Sequence, residues 1–286
     1  SESYPNVIVG GRYNTISSYS SNYTILGNTI GGGSYNTTCS SYYGAQTISG
    51  GYRNTTMSDY TFIGGGKNNT ASGYQSTVAG GSRNAVIGYS TSVLGGESNT
   101  AVDTYSVVAG GGYNTAYGNC SAVLGGLWNT VTGSASVVAG GCNNISINAY
   151  STVSGGDHNY GGGYLSSIGG GYYNTTIGSQ STISGGQRNT SSGYCSFIGG
   201  GDQNSTFGPD SVIAGGALNI VNGNYSGILG GRQNCLTHSD SFIVGSGIAS
   251  TANNTLHVNC IHASSLPTSS AGLAPGTIWN NGGILN

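Results

Sequence analysis

An asparagine recurs every 15 residues, without a slip, over most of this chain. The column is Asn54, Asn69, Asn84, Asn99, Asn114, Asn129, Asn144, Asn159, Asn174, Asn189, Asn204, Asn219 and Asn234. Nine residues after each stands Val or Ile, from Ile63 through Val138 to Ile243. Two residues before that position is always Ser or Thr, and two after it is always Gly. The unit reads Asn-Thr-x-x-Gly-x-x-Ser-x-Val/Ile-x-Gly-Gly-x-x. Asn14 and Asn36 belong to the same column, displaced by insertions of seven and three residues. A period of this length is too short for a helix pair or a propeller blade and suits one coil of a parallel β-helix or β-roll.

The residues inside the unit support that reading. Ser-x-Val-x-Gly has a period of two, which places Ser, Val and Gly on one face of a short strand. The β-branched centre favours extended backbone, and the Gly-Gly pair supplies corner conformations. Coils stacking about 4.8 Å apart make a rod of roughly 70 Å, with one Val/Ile stack in its core and an Asn ladder running from coil to coil. The expected fold is all-β: a parallel β-roll with irregular first coils over 1–53, regular coils over 54–245 and a C-terminal cap or linker over 246–286. Glycine is abundant, 55 of 286 residues, but it does not recur every third position and Pro is rare, which excludes collagen. No apolar run is long enough for a membrane-spanning helix.

Six basic and eight acidic residues give a net charge of −2, so no basic patch awaits a nucleic acid. All but Glu2 of these charges fall just before the Asn column or four to six places after it. Charges avoid burial, so these two corners of the coil face water. The strand itself carries none on either face. Its outward positions read Phe62, Thr77, Ser92, Val107, Ala122 and Val137, then Gly64, Ala79, Leu94, Ala109, Leu124 and Ala139. A long uncharged stripe needs a cover. Three rolls packed about an axis provide one, so a parallel homotrimer is expected, with Leu94, Leu124 and Leu229 in its seam.

Ser-x-Val-Ala-Gly-Gly-x-x-Asn-x-x-x-Gly-x-x-Ser/Thr, as in Ser76 to Thr91 and Ser106 to Ser121, resembles the head repeats of trimeric autotransporter adhesins. The resemblance covers residues 6–245. It implies a left-handed parallel β-roll assembled as a trimer. Beyond Gly245 the repeat stops, and Leu256, Val258 and Ile261 mark a short strand. The stretch from Leu266-Pro267-Thr268-Ser269 to Gly276-Thr277-Ile278-Trp279-Asn280-Asn281-Gly282-Gly283 is similar to a segment found near the ends of phage and large-virus fibre and structural proteins.

Little in the chain suggests chemistry. Cys120 and Cys195 share a column but lie five coils apart, too far for a disulfide, and Cys142 is half a coil out of phase with Cys120. The six Cys therefore read as small fillers or free thiols, with bonds between chains as the alternative. There is no Cys-x-x-Cys pair and the four His are dispersed, so neither a metal nor a cofactor is expected. Gly64-Gly65-Gly66-Lys67 lacks the Ser or Thr that a phosphate loop needs after its Lys. Asp210 and Asp240 stand two coils apart, and no carboxylate pair presents itself. Tyrosines crowd the corners: Tyr74, Tyr89 and Tyr194 five residues after Asn, Tyr60, Tyr105, Tyr150 and Tyr225 one place on, and Tyr113, Tyr172 and Tyr173 at the other corner. They are expected to cover neighbouring coils, with contact to a glycan or receptor as the alternative. Asn68, Asn119 and Asn224 begin Asn-x-Ser/Thr sequons in the charged corners and are the candidate glycosylation sites.

The expected function is that of a non-enzymatic structural module of an extracellular or virion fibre. Its partners would be two further copies of itself, neighbouring segments of the same fibre and a host-surface glycan or receptor. A bacterial adhesin head and a polysaccharide-degrading tailspike are the alternatives.

Overall fold

Each repeat closes one coil of a parallel β-solenoid, and the coils stack in strict register. The computed structural model describes residues 5–18, 27–40, 43–261, 280–281 and 284–285. Among these there is no helix. A 17-stranded parallel sheet carries the Val/Ile column and a 15-stranded parallel sheet follows the Asn column. In the first sheet Thr77–Val78 pairs with Ser92–Val93. In the second, Ala85–Val86 pairs with Thr100–Ala101. Both offsets equal the repeat. A third seam of isolated parallel bridges joins the coils two places before Asn, as at Tyr52, Lys67 and Ser82.

The core lies between the two sheets. From the first come the fully buried Ile63, Val78, Val93, Val108 and their successors, and from the second Ala71, Val86, Ala101, Ala116, Val131, Val221 and Leu236. The Ser/Thr column, from Thr61 to Ser241, is buried beside the Val/Ile column. The expected alternation holds for Ser76 and Val78 and breaks at Gly80, which is only half-buried, because the strand ends at Val78 and the chain has already entered the corner.

The early insertions leave the stack undisturbed. Val7 and Ile8 pair with Thr29 and Ile30, and these pair with Thr47 and Ile48. The extra residues fall between strands, after Ser18 and before Thr29 and after Ser40 and before Thr47; residues 19–26 and 41–42 lie outside the described residues. In these first coils Asn6, Asn28 and Gln46 hold the column that Ser and Thr occupy later. Asn6 Oδ1 accepts the Asn28 N–H at 2.9 Å, and Asn28 Oδ1 accepts the Gln46 N–H at 3.0 Å. At the other end Phe242–Val244 pairs with Leu256–Val258. The strand stops at Val258, and Ile261 lies beyond it, 63% exposed. Asn280–Asn281 and Ile284–Leu285 form an antiparallel pair; the rest of the fibre-like C-terminal stretch lies outside the described residues.

Besides the glycine that closes the Gly-Gly corner (φ 82–99°), each coil turns through the left-handed region at two further places, both on a residue other than glycine. The residue before Asn does so (Arg53, Asn68, Arg83, Ser98, Tyr113, Trp128), and so does the residue six after it (Tyr60, Gln75, Ser90, Tyr105, Cys120, Ala135), all with φ between 52° and 59°. Turning the backbone here reverses its amide. Lys67 N–H donates forward to Gly81 O, whereas Asn68 N–H donates back to Tyr52 O. A β-branched residue is the worst choice at positive φ. We therefore expect Ala135→Val (φ 52°) to cost about 1–2 kcal/mol in urea denaturation. Ala122→Val, on the outer face of a strand where Val107 and Val137 already stand, is expected to be neutral or mildly stabilising.

Candidate functional site

The asparagine column is a buried hydrogen-bonded ladder. Every Asn from Asn54 to Asn234 is at most 1% exposed. Asn129 is representative: its Oδ1 accepts the N–H of Asn144 at 2.9 Å, and its Nδ2 donates to Gly125 O at 2.9 Å and Gly141 O at 3.0 Å. The amide thus ties its own coil to the next and leaves no side-chain donor free. Asn54, Asn144, Asn174, Asn189 and Asn204 begin sequons too, but their amides are engaged in this ladder. Of the corner sequons, Asn119 and Asn224 are exposed and Asn68 is half-buried.

The corners hold the charges as expected, with one exception. Asp59 is 4% exposed and accepts the N–H groups of Tyr43, at 3.0 Å, and Gly44, at 2.9 Å. It is a structural cap on an irregular coil rather than a solvated charge. Arg83 and Glu97 form an ion pair across adjacent coils.

Corner aromatics lie against one another. Tyr60, Tyr74, Tyr89 and Tyr105 form a continuous run with centroids 5.3, 5.3 and 6.0 Å apart. Desolvation, together with Tyr60, Tyr89 and Asp59, raises the pKa of the Tyr74 hydroxyl. At the other corner Tyr13 stacks on Tyr35, Tyr113 on Trp128 and His158 on Tyr173. The Arg53 guanidinium lies over Tyr52, 5.1 Å from its centroid.

Both broad faces are uncharged, where sequence reasoning drew only one. Leu94, Leu124 and Leu229 project from the first sheet and are 53–58% exposed in the single chain. The second sheet presents Met57, Ile87, Tyr117, Ile177 and Phe207, each about half exposed. No repeating letter marks that second stripe, so only the charge-free spacing of the corners could have revealed it.

All six thiols are free. Among the described residues no group of three or more His, Cys, Asp or Glu side chains is gathered in one place, and no helix is long and apolar enough to cross a membrane. No family model matches the chain, and a search of curated proteins finds no match.

Proposed function

We propose that this chain is a non-enzymatic rod segment of an extracellular or virion-surface fibre, assembled as a parallel homotrimer that spaces and presents its corners. The observation that carries the reading is the pair of charge-free faces running the length of the solenoid between two charged corners. A three-fold ring joins two different patches at each contact. Setting the first sheet of one copy against the second sheet of the next therefore covers both faces and leaves the corners in water. A stripe about 60 Å long and about 10 Å wide offers on the order of 600 Å². With two stripes used per protomer, the trimer reaches the scale of stable interfaces. The resemblance to adhesin heads and the fibre-like C-terminal segment agree with this reading.

Sedimentation equilibrium tests it. The wild-type chain is expected to run at three times its chain mass. Leu124→Asp on the first sheet and Ile177→Asp on the second each place a charge in a seam, and each is expected to yield monomers. A monomeric wild type would sink the proposal. If only Leu124→Asp dissociates, the second face is free and the trimer closes through the first sheet alone.

A further inference from the structure

One corner carries an aromatic stack with a single ring missing. In consecutive coils, the position before Asn is held by Tyr113, Trp128, Asn143, His158 and Tyr173. All five share the left-handed backbone, with φ between 52° and 59°, so their side chains leave the rod in the same direction. Tyr113 and Trp128 have centroids 4.2 Å apart and planes within 9°. His158 and Tyr173 stand at 4.6 Å and 16°. Near-parallel rings this close must overlap face to face, so the ring faces look along the rod. Trp128 and His158 then face each other across the Asn143 coil, two coil spacings or about 9.6 Å apart. Asn143 contributes only a short amide, whose Nδ2 donates to Cys142 Sγ at 3.2 Å.

The dimensions and chemistry of this slot select a guest. Flat rings in contact lie about 3.5 Å apart, so a flat aromatic guest would fill only about 7 Å of the gap. A pyranose chair is thicker. Both walls present the face of an aromatic ring, and that of Trp128 is the negative face of a π-system, which attracts the polarised C–H bonds of a sugar. A pyranose whose ring hydroxyls are all equatorial shows axial C–H bonds on both faces and keeps its hydroxyls at the rim. An axial hydroxyl would press against one wall. At the rim stand the Asn143 amide and the Asp157 carboxylate, the latter held 2.8 Å from His158 Nδ1. We propose that the Asn143 slot binds one β-linked, gluco-configured pyranose residue, sandwiched between Trp128 and His158.

The inference rests on the corner facing water in the fibre, and its test is separable from that of the trimer. The full chain is titrated with cellotetraose, chitotetraose and a galacto-configured tetrasaccharide, by calorimetry and by tryptophan emission. Millimolar binding of a gluco-configured probe is expected, with the galacto-configured one weaker. Asn143→Tyr puts the chain's own ring in the slot. The column already accepts Tyr at 113 and 173, so this variant should fold and sediment as wild type while binding falls at least about tenfold. Trp128→Ala removes one wall and should lose binding as well. The proposal is overturned if neither gluco-configured probe binds the wild type, if the galacto-configured probe binds equally well, or if Asn143→Tyr binds as tightly as the wild type.

Discussion

Gly111→Ala is expected to break the rod in its middle, while the same change at the next residue, Gly112, is expected to be tolerated. Gly111 has φ +83°, and a Cβ there would lie 2.7 Å from Asn114 Nδ2 and deep inside the carbonyl oxygen of Gly126 on the next coil. Both obstacles belong to the ladder and its backbone, so neither yields without parting two coils. Overpacking and a left-handed Ala together should cost about 3–5 kcal/mol. Gly112 lies outside the left-handed region, and its Cβ would meet the Leu127 Cδ2, the end of a half-exposed side chain, at 3.0 Å and Glu97 O at an ordinary contact distance of 3.7 Å. The corresponding positions of other coils carry Lys67, Ser82 and Glu97. Gly112→Ala should therefore lie within about 1 kcal/mol of wild type, measured beside Gly111→Ala in the same denaturant series. In a stacked rod each coil answers only to its neighbours, so hydrogen exchange in Gly111→Ala should rise first in the flanking coils. Equal stability of the two variants would mean that the inter-coil approach at Gly111 is looser than described.

Asn129→Leu carries the second large effect. Leucine keeps the volume but removes the partners of the Asn144 N–H and the Gly125 carbonyl. Gly141 O retains the Leu127 N–H, at 2.9 Å. The Asn144 N–H is buried and the Gly125 carbonyl partly so; polar groups left without partners cost about 1–3 kcal/mol each, so a loss of about 2–6 kcal/mol is expected. Asn119→Leu, at an exposed corner, should cost less than about 0.5 kcal/mol. Thermal melts of the two variants compare them directly; small and equal losses would remove the ladder from any role in stability.

The period, the Asn ladder, the buried Val/Ile stack and the charged corners were all legible in the sequence because each repeats a letter or a charge at a fixed phase. The second sheet was not. Its inward column runs through Thr56, Ala71, Val86, Ser146, Gly161 and Leu236, which share small or moderate size but no chemistry. Packing against a constant Val/Ile column asks only that the pair fill the space between sheets, so a position can vary while its role does not. The left-handed corners left a different trace. From Tyr13 to Gln233, the residue before Asn is never Val, Ile, Thr, Gly or Pro. A consensus built from what is present cannot show a rule made of exclusions. Asp59 misled for a related reason: its phase matched that of the solvated charges, but the irregular coil beside it supplies two amides for its carboxylate.

Those left-handed positions separate the rod's outward chemistry from its stability. Two rows of pegs run along it at a pitch of about 4.8 Å, and each peg can be cationic (Arg83), anionic (Asp210), thiol (Cys195), amide (Gln180) or aromatic (Trp128) on the same backbone conformation. The hydrogen bonds that stack the coils come from main chain and buried asparagine, so changing a peg leaves them in place. Such a chain can rewrite its lateral address one coil at a time, in any order, without renegotiating its fold.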